Sequence, residues 1–185
     1  MAVIRETKRS RLYFTLAVAL FEVLHLGIEL LNGGVLVHFP LMRSDMPGLS
    51  NWWGLLVLPT LAWVLYGFMA KGDEPVTVFE LPKPVLYRFI GAFVYCGMLG
   101  ASFELDLGET PMYFLLGLIV AGIAYPIYRA EMVLGFIMGM TYTFGAIIPT
   151  VVITIVAFSS LLLHNLALLL LKIVRPRTHD AISEN

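Results

Sequence analysis

Long apolar stretches constrain the fold of this chain more than any other feature of its sequence. Four of them reach roughly the 20 residues that a helix needs to cross a bilayer core of about 30 Å; they span about 12–31, 52–70, 85–103 and 112–128. The chain is 59% hydrophobic and 14% charged, whereas a soluble domain is about 25% charged. The sequence therefore predicts an all-α integral membrane protein.

The last apolar stretch, residues 132–171, is about twice as long as one span requires. Gly145 and Pro149 lie near its middle, and these residue types interrupt helices. We therefore expect a tight hairpin between helices near 132–147 and 151–171. The predicted fold is a bundle of six transmembrane helices, or five if the stretch forms one long bent helix.

Basic residues give the orientation of the predicted bundle. With both termini cytoplasmic, all of the 12 Lys and Arg residues except Arg43 lie in inner segments, which is the bias of cytoplasmic loops. A five-span topology would place the C-terminal basic cluster outside. We expect one domain, 1–174, in a bacterial inner membrane, and a polar cytoplasmic tail, 175–185, whose basic residues meet lipid headgroups.

Charge and cysteine content exclude some classes of function. The net charge of −1 gives no polyanion-binding signal, so nucleic acid is not an expected partner. The single cysteine, Cys96, excludes an intrachain disulfide, and it lies in an apolar run where it would act as a small hydrophobic residue.

Polar residues form one stripe on the first predicted helix. Glu22, His25, Glu29 and Asn32 are spaced by three or four residues, which places them on the same helix face. The rest of this helix is apolar, and exposing ionisable groups to lipid costs several kcal/mol. The stripe is therefore expected to face the bundle interior or a wet cavity.

Several interpretations fit this stripe. A buried Glu beside a His is a general acid–base pair, a ladder of such groups can relay protons, and a polar network can simply lock helices together. The candidate catalytic residues are Glu22, His25, Glu29 and Glu104. The Glu-x-x-His spacing also occurs in metal sites of helix bundles. A divalent zinc, iron or manganese ion would take ligands from His25, Glu29, His38 and His164.

Residues near the outer ends of several helices are candidates for substrate contacts. These are Asn32, Asn51, Trp52, Trp53 and Tyr142. Ser50 suits a helix N-cap, and the two tryptophans also fit the aromatic belt of a membrane interface. Gly135 and Gly139 indicate close helix packing within the chain or between two chains, so a homo-oligomer through them is a further expectation.

The segment His25-Leu26-Gly27-Ile28-Glu29 is similar to the His-x-x-x-Glu segment of the emopamil-binding (sterol isomerase-like) membrane family. Glu104, followed by Pro111-Met112-Tyr113-Phe114, resembles the end of the helices that follow in that family. The similarity covers the first four helices, and two extra helices and a short inner loop depart from the family's pattern. It implies acid–base isomerisation or binding of a hydrophobic ligand near His25, Glu29 and Glu104.

The leading functional hypothesis is a membrane-embedded enzyme, metal-dependent or acid–base, that acts on a lipid or another hydrophobic small molecule. The alternatives are a small proton- or cation-coupled transporter or channel, and a structural or assembly subunit of a membrane complex. The inner halves of the first three helices carry few ionisable groups, which favours the enzyme over the transporter. The subunit alternative predicts that Glu22 and His25 face outward.

Overall fold

A computed structural model describes residues 2–39, 45, 47–70 and 81–174, with the side chains of 8–39, 45, 47–70, 81–122 and 125–162. These residues form six α-helices and a short two-stranded sheet. The helices are α1 (Ala2–Leu31), α2 (Gly54–Met69), α3 (Lys83–Glu104), α4 (Thr110–Ala124), α5 (Ala130–Phe144) and α6 (Ile147–Val174). The strands β1 (Val37–His38) and β2 (Leu49–Ser50) pair antiparallel between α1 and α2.

Three helical segments are long and apolar enough to cross a membrane. They are Lys8–Leu31, Asn51–Met69 and Lys83–Glu104. The other segments with described side chains are shorter apolar helices: Thr110–Gly122, Ala130–Phe144 and Ile147–Leu162. The backbone of α6 continues to Val174, so that helix has 28 residues in all. The all-helical fold and these apolar lengths are those of an integral membrane protein.

The fourth helix is shorter than the apolar pattern predicted. The sequence suggested a span to residue 128, but α4 ends at Ala124 and Tyr125 is extended, with φ −132° and ψ 142°. Pro126 explains the difference, because a proline disfavours the α conformation of the residue before it. The expected span was therefore wrong at its C-terminal end.

The long apolar stretch near the C-terminus breaks where Gly145 predicted. Gly145 has φ +67°, a conformation that favours glycine, and it separates α5 from α6. Ser160 of α6 then donates a 3.0 Å hydrogen bond to the backbone carbonyl of Gly122 in α4. If the helix continued straight past Gly145, Ser160 would lie roughly 20 Å beyond Gly145 and out of reach of Gly122 in α4. The chain therefore turns back at Gly145.

Helices α3 and α5 pack closely against each other through glycines. A Cβ on Gly135 would lie 2.6 Å from the carbonyl oxygen of Phe89, and one on Gly139 would lie 2.8 Å from the backbone nitrogen of Gly97. Such distances leave no room for a side chain, so this pair brings two helices of the same chain together. Association of two chains through the same glycines stays a prediction.

Candidate functional site

Three of the four residues of the predicted polar stripe face the interior of the bundle, whereas Asn32 follows the end of α1 and is exposed. Glu22, His25 and Glu29 are 0%, 4% and 7% exposed, while the neighbouring Val23, Leu24 and Leu30 are more than half exposed. The exposed apolar side chains suit acyl chains on the outer face of the helix. The three ionisable groups instead face protein atoms, away from the surface of the bundle that would meet lipid.

The imidazole of His25 lies between two carboxylates. Its Nδ1 is 3.3 Å from Glu22 Oε2, and its Nε2 is 3.4 Å from Glu29 Oε1. A neutral imidazole carries one N–H, which can point to only one of the two carboxylates at a time. Only the Nδ1–Glu22 contact has hydrogen-bond geometry, and Nε2 has no hydrogen-bond partner among the described residues. His25 can therefore share a proton with Glu22, while Glu29 lies close to the other ring nitrogen.

Glu22 occupies a slot against the first turn of α2. A Cβ on Gly54 would overlap Glu22 Oε1, so only a glycine leaves room for this carboxylate. Oε1 is buried and has no hydrogen-bond partner among the described residues. The inner end of the Glu–His–Glu cluster (Glu22, His25 and Glu29) is thus closed off from water by α2.

Glu29, at the other end of the cluster, is held by the connection between α1 and α2. Asn51 Nδ2 donates to Glu29 Oε1 at 2.5 Å, and the backbone N–H of Leu36 donates to Glu29 Oε2 at 3.2 Å. Asn51 is itself only 3% exposed. Its backbone N–H donates to Leu36 O at 3.1 Å, which continues the β1–β2 pairing. The short sheet therefore positions the amide that orients Glu29.

Two cavities meet beside the cluster. The larger is an apolar cavity of about 380 Å³ that includes His25 and Tyr142 in its wall. The smaller is a polar cavity of about 160 Å³ lined by Ile28, Glu29, Asn32, Gly34, Leu36, Glu104 and Tyr142. Ile28 and Tyr142 line both, so the two spaces are adjacent. The polar cavity brings together Glu29, Asn32, Glu104 and Tyr142, which the sequence had proposed as candidate catalytic or substrate-contacting residues.

His38, on β1 in the connection between α1 and α2, lies near the same site. It is half-buried, its Nε2 has no hydrogen-bond partner among the described residues, and a Cβ on Gly145 would lie 3.5 Å from its ring. Burial lowers the pKa of His38 below the usual 6.5, and His25 adds to that effect, while Glu29 and Glu104 oppose it. His38 is therefore biased toward its neutral form near pH 7.

The remaining nominated residues lie in different places. Trp52 and Trp53 are 52% and 54% exposed and line neither cavity, as expected of a membrane-interface belt. Ser50 Oγ accepts a 3.4 Å hydrogen bond from the Trp52 N–H, as an N-cap does. His164 belongs to α6, but its side chain lies outside the described residues.

No group of three or more His, Cys, Asp or Glu side chains that could hold a metal is present within the described part of the chain. Since the side chain of His164 is not part of that set, the metal site suggested by the sequence stays a prediction.

Several residues of the site were not singled out by their sequence pattern. Gly54 makes room for Glu22, Gly145 makes room for Asn51, and Gly97 forms part of the apolar cavity wall. Thr143 lines the same cavity, and its Oγ1 is a buried hydroxyl without a hydrogen-bond partner among the described residues. Gly145 carried a sequence signal as a helix breaker, but that signal did not indicate contact with the site. Thr143, beside Tyr142, was expected either to line the cavity or to bond to its own helix backbone, and it lines the cavity.

Together these features define a helical membrane protein with a buried Glu–His–Glu cluster between a polar and an apolar cavity. Comparisons with protein families, with curated proteins and with solved structures find no match to this chain. The similarity of the His25–Glu29 segment to the emopamil-binding family gains no support from them.

Proposed function

We propose that the chain crosses a bacterial cytoplasmic membrane six times, with both termini inside. The chain reversal at Gly145 supports this topology, because α5 and α6 then form a hairpin. The basic residues also support it, since all but Arg43 fall on the cytoplasmic side. In this topology His38, Glu104 and the polar cavity face the outer surface.

We further propose that the protein is a membrane-embedded enzyme that transfers protons to or from a hydrophobic small molecule. One observation carries this proposal: His25 is buried between two carboxylates and also forms part of the wall of an apolar cavity. General acid–base catalysis needs a proton-exchanging group within reach of the bound substrate and shielded from bulk water. His25 meets both requirements.

Each residue around His25 has its own role in the proposed reaction. His25 exchanges a proton with the substrate at Nε2, which has no hydrogen-bond partner among the described residues, and Glu22 stabilises the protonated ring at Nδ1. Glu29, 3.4 Å from Nε2, accepts or returns that proton. Asn51 and the Leu36 N–H hold Glu29 in place and act as positioning groups. Glu104 lines the polar cavity and contacts the polar part of the substrate.

Proton- or cation-coupled transport is the main rival, and the packing below Glu22 argues against it. A transporter needs a polar path to both membrane surfaces. Here the buried face of α1 continues inward from Glu22 with Val18 and Phe14, and the Phe14 ring contacts Tyr66 at 5.5 Å between centroids. Phe14 lies eight positions before Glu22, so for roughly 12 Å the buried face of α1 carries no ionisable group. The inward-facing Glu22 and His25 likewise do not support an assembly subunit that pairs through them.

Solvent deuterium tests the proposed chemistry without the substrate having to be identified first. Purified protein would be incubated with membrane lipid extract in D₂O, and the extract would be analysed by mass spectrometry. A proton-transfer enzyme puts a solvent deuteron on a carbon of one lipid class. Wild-type protein should produce such a species, and His25→Gln should not. The exposed Leu20→Ala variant on the same helix serves as the control.

The same two proteins, reconstituted in vesicles with a pH-sensitive dye inside, separate the enzyme from the transporter. A proton flux that His25→Gln abolishes, with no deuterated lipid, would replace the enzyme by the transporter. If wild type and His25→Gln deuterate the same lipids equally, His25 is not the proton-transfer group.

A further inference from the structure

The apolar cavity is a cleft between two helix pairs. Its lining comes from α1 on one side and from α3 and α5 on the other: Phe21, Leu24, His25, Ile28, Phe93, Gly97, Met138, Gly139, Tyr142 and Thr143. α1 packs mainly on α2, and α3 packs mainly on α5. The Phe21 and Phe93 rings meet edge to face, 6.0 Å between centroids, and bridge the two sides at the inner end of the cleft.

The rim of this cleft lies on the lipid-facing surface of the bundle. Leu24, Ile28 and Tyr142 are 60%, 47% and 54% exposed, although all three line the cleft. Gly97 and Gly139 form its floor without side chains. From Phe21 to Ile28 the cleft runs roughly 10 Å along α1. A cleft of this shape, open along its length to the bilayer, suits an extended hydrocarbon chain.

The polar cavity at the outer end of the cleft is lined partly by polar and acidic side chains, in contrast to the apolar cleft. Its polar side chains are Glu29, Asn32, Glu104 and Tyr142, and no Lys or Arg is among its lining residues. A phosphate or carboxylate headgroup would face two carboxylates, one of them the buried Glu29, and these like charges would repel it. A hydroxyl or an ammonium group would instead donate to these oxygens.

From this geometry we propose that the ligand of the site is a long-chain alcohol or amine that enters sideways from the outer leaflet. Its head binds Glu29 and Glu104, and its chain lies in the cleft past His25. This inference rests on the proposed function, since it names the substrate class of the same site. It also places the reacting part of the molecule near its head, because His25 is one helical turn from Glu29.

Photolabelling with matched lipids tests this inference. The probes are a long-chain primary amine, the alcohol and the alkyl phosphate of the same length, each with a diazirine in its tail. They would be applied to the full chain in phospholipid nanodiscs, and labelled peptides would be mapped by mass spectrometry. The amine and the alcohol should label peptides containing Leu24 and Tyr142 at concentrations at least about tenfold lower than the phosphate.

Two variants with matched controls locate the chain and the head. Leu24→Trp should block the cleft and reduce labelling about tenfold or more, whereas Leu20→Trp, 58% exposed on the same helix and outside the cleft, should not. Glu104→Lys should reverse the preference, so that the phosphate labels better than the amine. Glu109→Lys, outside the polar cavity, should leave the preference unchanged. These positions are exposed, so the variants should fold.

The outcomes separate this inference from the enzyme proposal. Equal labelling by amine and phosphate, or equal effects of Leu24→Trp and Leu20→Trp, would overturn the inference even if wild-type protein still deuterates a lipid. Selective labelling that follows the expected pattern supports it. If that labelling persists while wild-type protein deuterates no lipid, the ligand class stands and the catalytic role of His25 fails.

Discussion

The hydrogen bond from Asn51 to Glu29 should be a major link between α1 and the segment that connects α1 to α2. Asn51→Ala removes the Nδ2 donor at 2.5 Å and leaves the Leu36 N–H as the donor on Glu29 Oε2. A hydrogen bond to a charged group contributes roughly 1.5–3 kcal/mol, and a bond between neutral groups roughly 0.5–1.5 kcal/mol. Asn51→Ala should therefore lower the free energy of unfolding by about 2 kcal/mol in the wild-type background.

A double-mutant cycle isolates this link. In the Glu29→Gln background the remaining bond joins neutral groups, so Asn51→Ala should cost about 1 kcal/mol less there than in wild type. Reversible unfolding in mixed detergent–SDS micelles measures each free energy. Asn32→Ala is the control, since this exposed residue lines the same polar cavity and should change stability by less than about 0.5 kcal/mol. Equal costs of Asn51→Ala in both backgrounds would refute a charge-assisted bond at Glu29.

Three further predictions follow from the same site. Gly54→Ala should destabilise the fold by about 1–3 kcal/mol in the same micelle assay, because its Cβ overlaps Glu22 Oε1; Gly91→Ala, with open space around its Cβ, should instead stabilise by up to about 1 kcal/mol. The lowered pKa of His38 means that the unfolded chain binds more protons than the folded chain between the folded pKa and 6.5. Wild-type stability should therefore fall as the pH drops through that window, and His38→Gln should remove this part of the pH dependence; identical pH profiles would contradict it. Elemental analysis of purified wild type and His25→Ala should give the same metal content, and stoichiometric zinc, iron or manganese lost in the variant would establish a metal site instead.

The sequence predicted the parts of this site that depend on one helix. The spacing of Glu22, His25 and Glu29 determines their common face. Because exposing ionisable groups to lipid is costly, that face packs toward the interior of the bundle. The chain reversal at Gly145 was also predictable, because few other residue types adopt its backbone conformation. The end of α4 was also within reach of sequence rules, since Pro126 restricts the residue before it.

Contacts between distant segments were not predictable in the same way. The Asn51–Glu29 bond joins residues 22 apart through a two-residue strand pair that has no clear sequence signature. Gly54 follows the Trp-Trp pair, and nothing local shows that the missing Cβ serves a carboxylate on another helix. Such contacts depend on the rotation of α1 about its axis relative to α2. An apolar composition alone does not determine that rotation.

The charge of the cluster connects its structure to the proposed ligand. Glu22, His25 and Glu29 have no Lys or Arg partner among the side chains that the structure describes. With both carboxylates ionised and His25 protonated, the three groups still carry a net charge of −1, and burying an uncompensated charge costs several kcal/mol. An ammonium head at Glu29, or one more proton within the cluster, removes that charge. An amine ligand therefore compensates the buried charge of the cluster, whereas an alcohol, which brings no charge, does not.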